Sequence, residues 1–139
     1  MNVLFVCQAN VGRSQVAMEL WRQKGGQADS SGTKVDTPGL TLLERPTSRT
    51  IVGIMWDKHG IDMIKNVRTQ ISQENAAGYD KIIVMAEHET VPQWLFDDKR
   101  AEFWNIQDPK MQNYETTLRI VGEVQDGVEK LAKDTGLGS

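Results

Sequence analysis

The start of the chain constrains the fold more than any other stretch. Residues 3–6 are apolar without alternation, which predicts a strand buried on both faces. Residues 7–14 follow as a loop, and apolar residues then recur at helical spacing, at Val16, Ala17, Leu20 and Trp21. A buried strand that leads through a short loop into a helix opens a strand–helix–strand unit, so we predict a parallel sheet with right-handed crossovers.

The loop between strand and helix has the residues of an oxyanion cradle. Five residues separate Cys7 from Arg13, and their backbone N–H groups can point inward beside a helix N-terminus. Arg13 can bind two anion oxygens at once, and Ser14 can donate a hydrogen bond to a thiolate. We therefore expect Cys7 to be the nucleophile. The expected anion-binding residues are Gln8, Ala9, Asn10, Val11, Gly12, Arg13 and Ser14. The alternative, a buried cysteine at a strand end, leaves Arg13 and Ser14 unexplained.

This stretch, read as C-x-x-x-x-x-R-S directly after the first strand, resembles the phosphate-binding loop of the low-molecular-weight protein tyrosine phosphatases. The related arsenate reductases carry the same loop. The resemblance spans nearly the whole chain and is strongest at residues 7–14 and at Asp108-Pro109. It implies an α/β, flavodoxin-like three-layer sandwich, in which a four-stranded parallel sheet carries helices on both faces.

The rest of the chain alternates between strand and helix patterns. Further strands are predicted at 28–33, 81–85 and 102–106, and helices at 14–24, 46–60, 72–78, 91–96 and 115–133. Pro46 suits a first helical turn, and Gly60 suits a helix end. We assign residues 1–139 to one phosphatase-like domain, since this length suffices for a single core.

Composition excludes several classes of protein. The 16 basic residues against 19 acidic ones argue against a nucleic-acid partner, and no apolar run reaches the length of a membrane span. We see no signal peptide at the start. The single cysteine permits no internal disulfide, which suits a reducing, cytoplasmic location. His59 and His88 lie far apart, so we expect no metal site, and nothing indicates a cofactor.

Asp108 is the candidate for the acid that an oxygen leaving group requires. It follows the last predicted strand, and Pro109 biases its backbone towards an extended conformation. By the resemblance, Asp108 protonates the departing oxygen and then activates the water that hydrolyses a phosphocysteine. The alternative is an ordinary turn, because Asp-Pro is common in loops.

Three residues are expected to support the loop rather than to react. A loop with converging N–H groups needs some left-handed backbone, which Asn10 tolerates. Its side chain can also bond to Ser14 or Ser30. The resemblance assigns a bracing role to Asn10 and to a serine that corresponds to Ser30. From the sequence alone, a strand end of small residues is an equally good interpretation of that stretch.

The chain departs from the family's pattern near the expected site. Lys110 and Met111 follow Asp108-Pro109, where the phosphatases often carry an aromatic residue that holds the phosphotyrosine ring. Ala86 stands where an acidic residue often follows the third strand. Three tryptophans are expected to pack in the core rather than to form an aromatic wall: Trp56, Trp94 and Trp104.

Three functions are compatible with these residues. The first is a phosphomonoester hydrolase for phosphotyrosine proteins or a small aryl phosphate, with inorganic phosphate or another oxyanion in the loop. The second is an arsenate reductase, because arsenate is a tetrahedral mimic of phosphate. The thioredoxin-coupled kind needs two further cysteines, which this chain lacks, so a version that uses an external low-molecular-weight thiol remains. The third is a non-catalytic phosphate-binding module, against which Cys7 and Asp108 argue.

Overall fold

The computed structural model describes residues 1–137 and contains a four-stranded parallel sheet. Its strands are β1 (Asn2–Cys7), β2 (Gln27–Gly32), β3 (Lys81–Val84) and β4 (Ala101–Phe103), hydrogen-bonded in the order β2-β1-β3-β4. Every pairing is parallel, and Phe5 lies opposite both Ser30 and Ile83. The apolar run of residues 3–6 therefore lies inside the sheet, as its lack of alternation predicts.

Helices cover both faces of this sheet. They are α1 (Arg13–Gln23), α2 (Arg49–His59), α3 (Gln93–Phe96) and α4 (Tyr114–Thr135), with 3-10 turns at Leu42–Glu44, Pro46–Ser48 and His88–Thr90. Val3 and Phe5 of β1 pack in one core with α1, α2 and α4, whereas Leu4 and Val6 pack in a second core that includes Leu95 of α3. The two cores lie on opposite faces because side chains alternate along a strand. The predicted flavodoxin-like three-layer fold is confirmed.

Two predicted elements differ from the structure. The predicted helix at 72–78 is absent, and residues 73–78 form turns. Ser72 and Asn75 bond reciprocally at 2.9 and 3.1 Å, as at a helix start, but Ala76 N to Ser72 O at 3.0 Å closes a single turn before the chain reaches Gly78 and Tyr79. The last strand is also shorter than the predicted 102–106, since the chain leaves the sheet after Phe103. The assignment of residues 1–139 to one domain stays a prediction.

The longest helix of the described chain is amphipathic. Helix α4 buries the apolar positions of one face, which are Ile120, Val121, Val124, Val128 and Leu131. It begins at Asn113, whose side chain accepts a hydrogen bond from Thr116 N, and ends at Gly136 in the left-handed conformation. Across residues 1–137, no helix combines the length and the apolar character needed to cross a membrane.

The end of β2 lies directly against the loop that follows β1. A Cβ atom at Gly32 would lie 2.5 Å from Gln8 O and 3.0 Å from Asn10 N. Both atoms belong to the backbone of the loop, so neither can turn away as a flexible side chain would. Glycine at position 32 is therefore what allows β2 to approach the loop this closely.

Substitution of this glycine tests the close approach. We expect Gly32→Ala to lower the free energy of unfolding by about 1–3 kcal/mol, because the added methyl group displaces loop backbone. Urea unfolding measures the change. The matched control is Gly53→Ala in α2, where an added Cβ meets no atom within 4 Å. Alanine there should be neutral or stabilising by up to about 1 kcal/mol, and equal effects at both positions would refute the close contact.

Candidate active site

Residues 8–12 connect the end of a central strand to the start of a helix. Cys7 is the last residue of β1, and Arg13 is the first residue of α1. Cys7 is buried, and its Sγ shares a 3.0 Å hydrogen bond with Ser14 Oγ. Asn10 has φ of 56°, the left-handed conformation predicted for it. The loop thus lies at the carboxyl end of the sheet, where ligands bind in open parallel sheets.

The carbonyl groups of this loop are held by donors that surround it. The bonds are Thr33 N to Cys7 O at 2.9 Å, Lys34 N to Gln8 O at 2.9 Å, Arg68 Nη2 to Ala9 O at 2.9 Å and Gln15 Nε2 to Asn10 O at 3.2 Å. Among the described residues, no backbone N–H from Gln8 to Gly12 donates to a protein acceptor. Since the C=O and N–H of a trans peptide point in opposite directions, anchored carbonyls leave these N–H groups for an anion.

The structure brings together the three residues expected to brace the loop. Asn10 is fully buried, and its Nδ2 donates to Ser14 Oγ at 2.8 Å and to Ser30 Oγ at 3.0 Å. Its Oδ1 accepts a bond from Thr69 N at 2.8 Å. The side chain of Asn10 therefore links the loop to β2, to α1 and to the irregular segment at residues 66–69, which fixes its left-handed backbone.

Arg13 is buried to 2 % exposure and is bonded to acceptors at the ends of β3 and β4. Its Nη1 donates to Met85 O at 2.5 Å and to Ile106 O at 2.9 Å. Glu87 accepts from both Nη atoms, at 3.2 and 2.8 Å, and so forms a bidentate pair with the guanidinium. These bonds fix the plane of the guanidinium beside the loop.

The charges around Arg13 keep it ionised. Burial by itself lowers the pKa of Arg13, but electrostatic interaction with Cys7, the hydrogen bond and charge of Glu87, and the charge of Asp108 more than offset this effect, and the pKa is raised. Within residues 1–137, the protein hydrogen bonds of this guanidinium are made by its Nη atoms. The Nε–H group is therefore left to bind an oxygen of an anion.

Asp108, the candidate acid, lies beside Arg13 in the folded chain. Its Oδ2 is 3.8 Å from Arg13 Nη2, and the side chain is 38 % exposed. Its Oδ1 accepts a bond from Lys110 N at 2.9 Å, which fixes the carboxylate within its own turn. Pro109 lies over the loop, since a Cβ at Gly12 would be 3.0 Å from Pro109 Cγ. The small residue at position 12 thus allows the Asp108 turn to pack on the loop.

Cys7, Arg13 and Asp108 line one cavity of about 170 Å³. Its outer wall consists of Arg45, Pro46, Thr47, Thr50, Ile51, Lys110, Met111, Gln112 and Thr117. No aromatic residue of the described chain belongs to the lining. Trp104 packs against Phe5 in the core as expected, whereas Trp56 is 60 % exposed on α2, so core packing was a wrong prediction for it.

Comparison with known proteins identifies the family of this site. A family model described as low molecular weight phosphotyrosine protein phosphatase matches residues 2–137. The chain belongs to this phosphatase family. Among curated proteins, the chain is 29 % identical over 135 residues to a glutaredoxin arsenate reductase of Synechocystis sp., covering 93 % of this chain and 94 % of that protein.

Solved structures of this phosphatase family share the fold. A low molecular weight protein tyrosine phosphatase from T. tengcongensis superimposes with a TM-score of 0.82 at 21 % identity, over 96 % of this chain and 99 % of that one. Wzb of Vibrio vulnificus in complex with benzylphosphonate gives 0.81 at 18 % identity, over 96 % and 97 %. An arsenate reductase in the phosphate binding state gives 0.75 at 26 % identity, over 96 % and 97 %.

Two residues that contact this site are not predicted from the sequence. Glu87, which holds Arg13, comes one residue after Ala86, where the family often has its acidic residue. Its place just beyond a strand end is a signal that could have identified it. Arg68 carries no such signal, because it lies in an irregular segment that only the folded chain brings to the loop.

Removal of the Glu87 carboxylate tests how Arg13 is held. We expect Glu87→Ala to lower the free energy of unfolding by about 1–3 kcal/mol, because the buried guanidinium loses its bidentate partner. We also expect inorganic phosphate to bind at least about tenfold more weakly. Thermal unfolding and calorimetric titration with phosphate measure the two effects. Glu89→Ala, at an exposed position two residues away, is the control, and indistinguishable results for both variants would contradict this role.

Proposed function

We propose that this protein is a phosphomonoester hydrolase that works through a phosphocysteine intermediate. The observation that carries the proposal is the single cavity shared by Cys7, Arg13 and Asp108. A thiol at its base, a fixed guanidinium and a carboxylate 3.8 Å from that guanidinium are the groups that phosphoryl transfer to a cysteine requires. Membership of the phosphatase family supports the same reaction.

In the first step, the inward N–H groups of residues 8–12 and the Arg13 guanidinium bind the phosphate oxygens. The Cys7 thiolate, stabilised by the hydrogen bond from Ser14, attacks phosphorus. The S–P bond forms as the bond to the leaving oxygen breaks, and Asp108 transfers its proton to that oxygen. The cradle donors match the charge that spreads over the equatorial oxygens during the transfer.

In the second step, the phosphocysteine is hydrolysed. Asp108, now a carboxylate, accepts a proton from a water molecule. As it does so, the oxygen of that water attacks phosphorus. The S–P bond breaks, its electron pair returns to Cys7 as thiolate, and inorganic phosphate leaves the cradle. The same carboxylate therefore acts as the acid in one step and as the base in the next.

The residues that line the cavity outside the loop limit which substrates fit. Phosphotyrosine proteins or small aryl phosphates remain the proposed substrates, with a phenyl ring packed between apolar groups such as Ile51 and Met111. The wall supplies contacts from flexible side chains rather than from a ring. The lone cysteine fits the reducing cytoplasm, where we propose that the protein acts.

A second candidate function is arsenate reduction with an external thiol, favoured by the 29 % identity to a glutaredoxin arsenate reductase. In this reaction Cys7 displaces hydroxide from arsenic, and the S–As bond forms. An external thiol then attacks the Cys7 sulfur, the S–As electron pair passes to arsenic, and arsenite leaves a mixed disulfide behind. A further thiol reduces that disulfide. This chain contains one cysteine, so the thiols must come from outside it.

The central test is hydrolysis of para-nitrophenyl phosphate between pH 4.5 and 8. We expect Cys7→Ser to abolish turnover, because the hydroxyl is a far weaker nucleophile than a thiolate. Asp108→Asn should lower kcat by about 10²–10⁴-fold, since the leaving oxygen loses its proton donor. Substantial turnover by Cys7→Ser would refute the phosphocysteine. A folded wild type that releases arsenite in the presence of added thiol, but no nitrophenol, would establish the second candidate instead.

The absence of an aromatic residue from the cavity lining leads to a separate prediction about the affinity for an aryl phosphate. We expect Lys110→Tyr to lower KM for para-nitrophenyl phosphate by about 2- to 10-fold with little change in kcat, because an aromatic pair contributes about 0.5–1.5 kcal/mol. Steady-state kinetics separate the two constants. Lys110→Leu removes the same charge without adding a ring and should change KM less. A tyrosine variant that behaves like the leucine variant would show that residue 110 does not contact the substrate ring.

A further inference from the structure

Arg68 is a buried cation that no step of the proposed reaction uses. It is 1 % exposed, although it lies in irregular backbone. Its Nη2 donates to Ala9 O at 2.9 Å and its Nε to the same oxygen at 3.3 Å. The two residues are 59 positions apart in the chain, so the bond is a product of the tertiary fold.

The remaining donors of Arg68 are also engaged. Nη1 donates to Thr37 Oγ1 at 2.9 Å, and Nη2 donates to Asp36 Oδ1 at 2.6 Å. The bonds from Arg68 and then from Arg45 hold the pKa of Asp36 well below its usual range. Asp36 is half-exposed, and its carboxylate compensates the buried charge of Arg68.

Burial of the Arg68 guanidinium is costly, because its ionic partner Asp36 is half-exposed while the positive charge itself is buried. Desolvation costs several kcal/mol for each ion, and an apolar side chain of similar volume is often as stabilising or more so. The guanidinium at position 68 therefore contributes something that an apolar residue would not. Its distinguishing contact is the pair of bonds to a loop carbonyl that has no other donor among the described residues.

That contact sets the direction of one peptide group in the cradle. With Ala9 O held on the outer side, the N–H of Asn10 in the same trans peptide points the opposite way. The next residue, Thr69, holds the side chain of Asn10 through its backbone N–H at 2.8 Å. Residues 68 and 69 thus fix both the peptide before Asn10 and its side chain, at the one loop residue with left-handed backbone.

We propose that Arg68 is a positioning residue of the oxyanion cradle, which acts through Ala9 O to keep the Ala9–Asn10 peptide turned for anion binding. Without these two bonds, the peptide is free to rotate and to turn its carbonyl oxygen towards the anion. The partial negative charge of that oxygen would repel the anion. This inference rests on the proposed function, since it assumes that the loop binds phosphate or a related oxyanion. It assigns Arg68 no contact with the substrate.

The test compares Arg68→Met with Arg68→Lys. Methionine keeps the length and apolar character of the side chain but removes every donor, whereas lysine keeps the charge and one donor group. We expect Arg68→Met to bind inorganic phosphate about 10- to 100-fold more weakly in calorimetric titration, and to raise KM for para-nitrophenyl phosphate more than it lowers kcat. Arg68→Lys should recover part of the phosphate affinity but not all of it, because an ammonium lacks the paired geometry.

The control is a variant that loses stability through a contact between α4 and Trp104, neither of which belongs to the loop. Gly127→Ala places a Cβ 2.6 Å from the ring of Trp104, so it should lower the melting temperature while leaving phosphate affinity unchanged. A melting temperature lowered equally in Gly127→Ala and in Arg68→Met, with affinity lost only in the latter, supports the proposal. If the Arg68 variants that fold bind phosphate as tightly as the wild type, the proposal is overturned. An equal loss of phosphate affinity in Gly127→Ala overturns it as well.

Titration of the wild type separates this proposal from the proposed reaction. Wild-type protein that binds phosphate but hydrolyses no aryl phosphate refutes the hydrolase, and the effect of Arg68 on phosphate affinity still decides the positioning role. Wild-type protein that is folded and binds neither phosphate nor arsenate overturns both proposals together.

Discussion

The direction of the peptide groups in residues 8–12 is the constraint on which the site depends. The carbonyl oxygens of residues 7–10 each accept a hydrogen bond from outside the loop. The donors lie just after β2, in α1 and in the irregular segment at 66–69. In an isolated loop of this length, N–H groups that point to one centre are unfavourable, because their positive ends repel one another. The fold supplies the bonds that offset this repulsion, so the proposed anion site depends on tertiary contacts and not on the local sequence alone.

The electrostatic balance of the site follows from the same arrangement. Arg13 contributes one buried positive charge, but Glu87 and Asp108 place two carboxylates within 4 Å of it. These carboxylates orient the guanidinium and weaken its net attraction for an anion. Oriented backbone dipoles must therefore provide a large share of the attraction, which makes the geometry of the loop more important than the formal charge.

Sequence reasoning succeeded where the signal was local. The buried strand, the helix start and left-handed Asn10 are each encoded within a few neighbouring residues. It failed where partners lie far apart: Glu87 contacts a residue 74 positions away, and Arg68 one 59 positions away. A charged residue in an irregular segment looks the same in a sequence whether it faces water or a buried carbonyl, so periodicity cannot separate the two cases.

The contact between Gly12 and Pro109 makes residue 12 a spacer. The position that a Cβ would take at residue 12 is 3.0 Å from Pro109 Cγ and 3.1 Å from Ile51 Cδ1, so a larger side chain there would press on both neighbours. A bulkier residue at this position would push the Asp-Pro turn away from the loop. Residue 12 therefore influences how closely the candidate acid approaches the loop that carries the thiol.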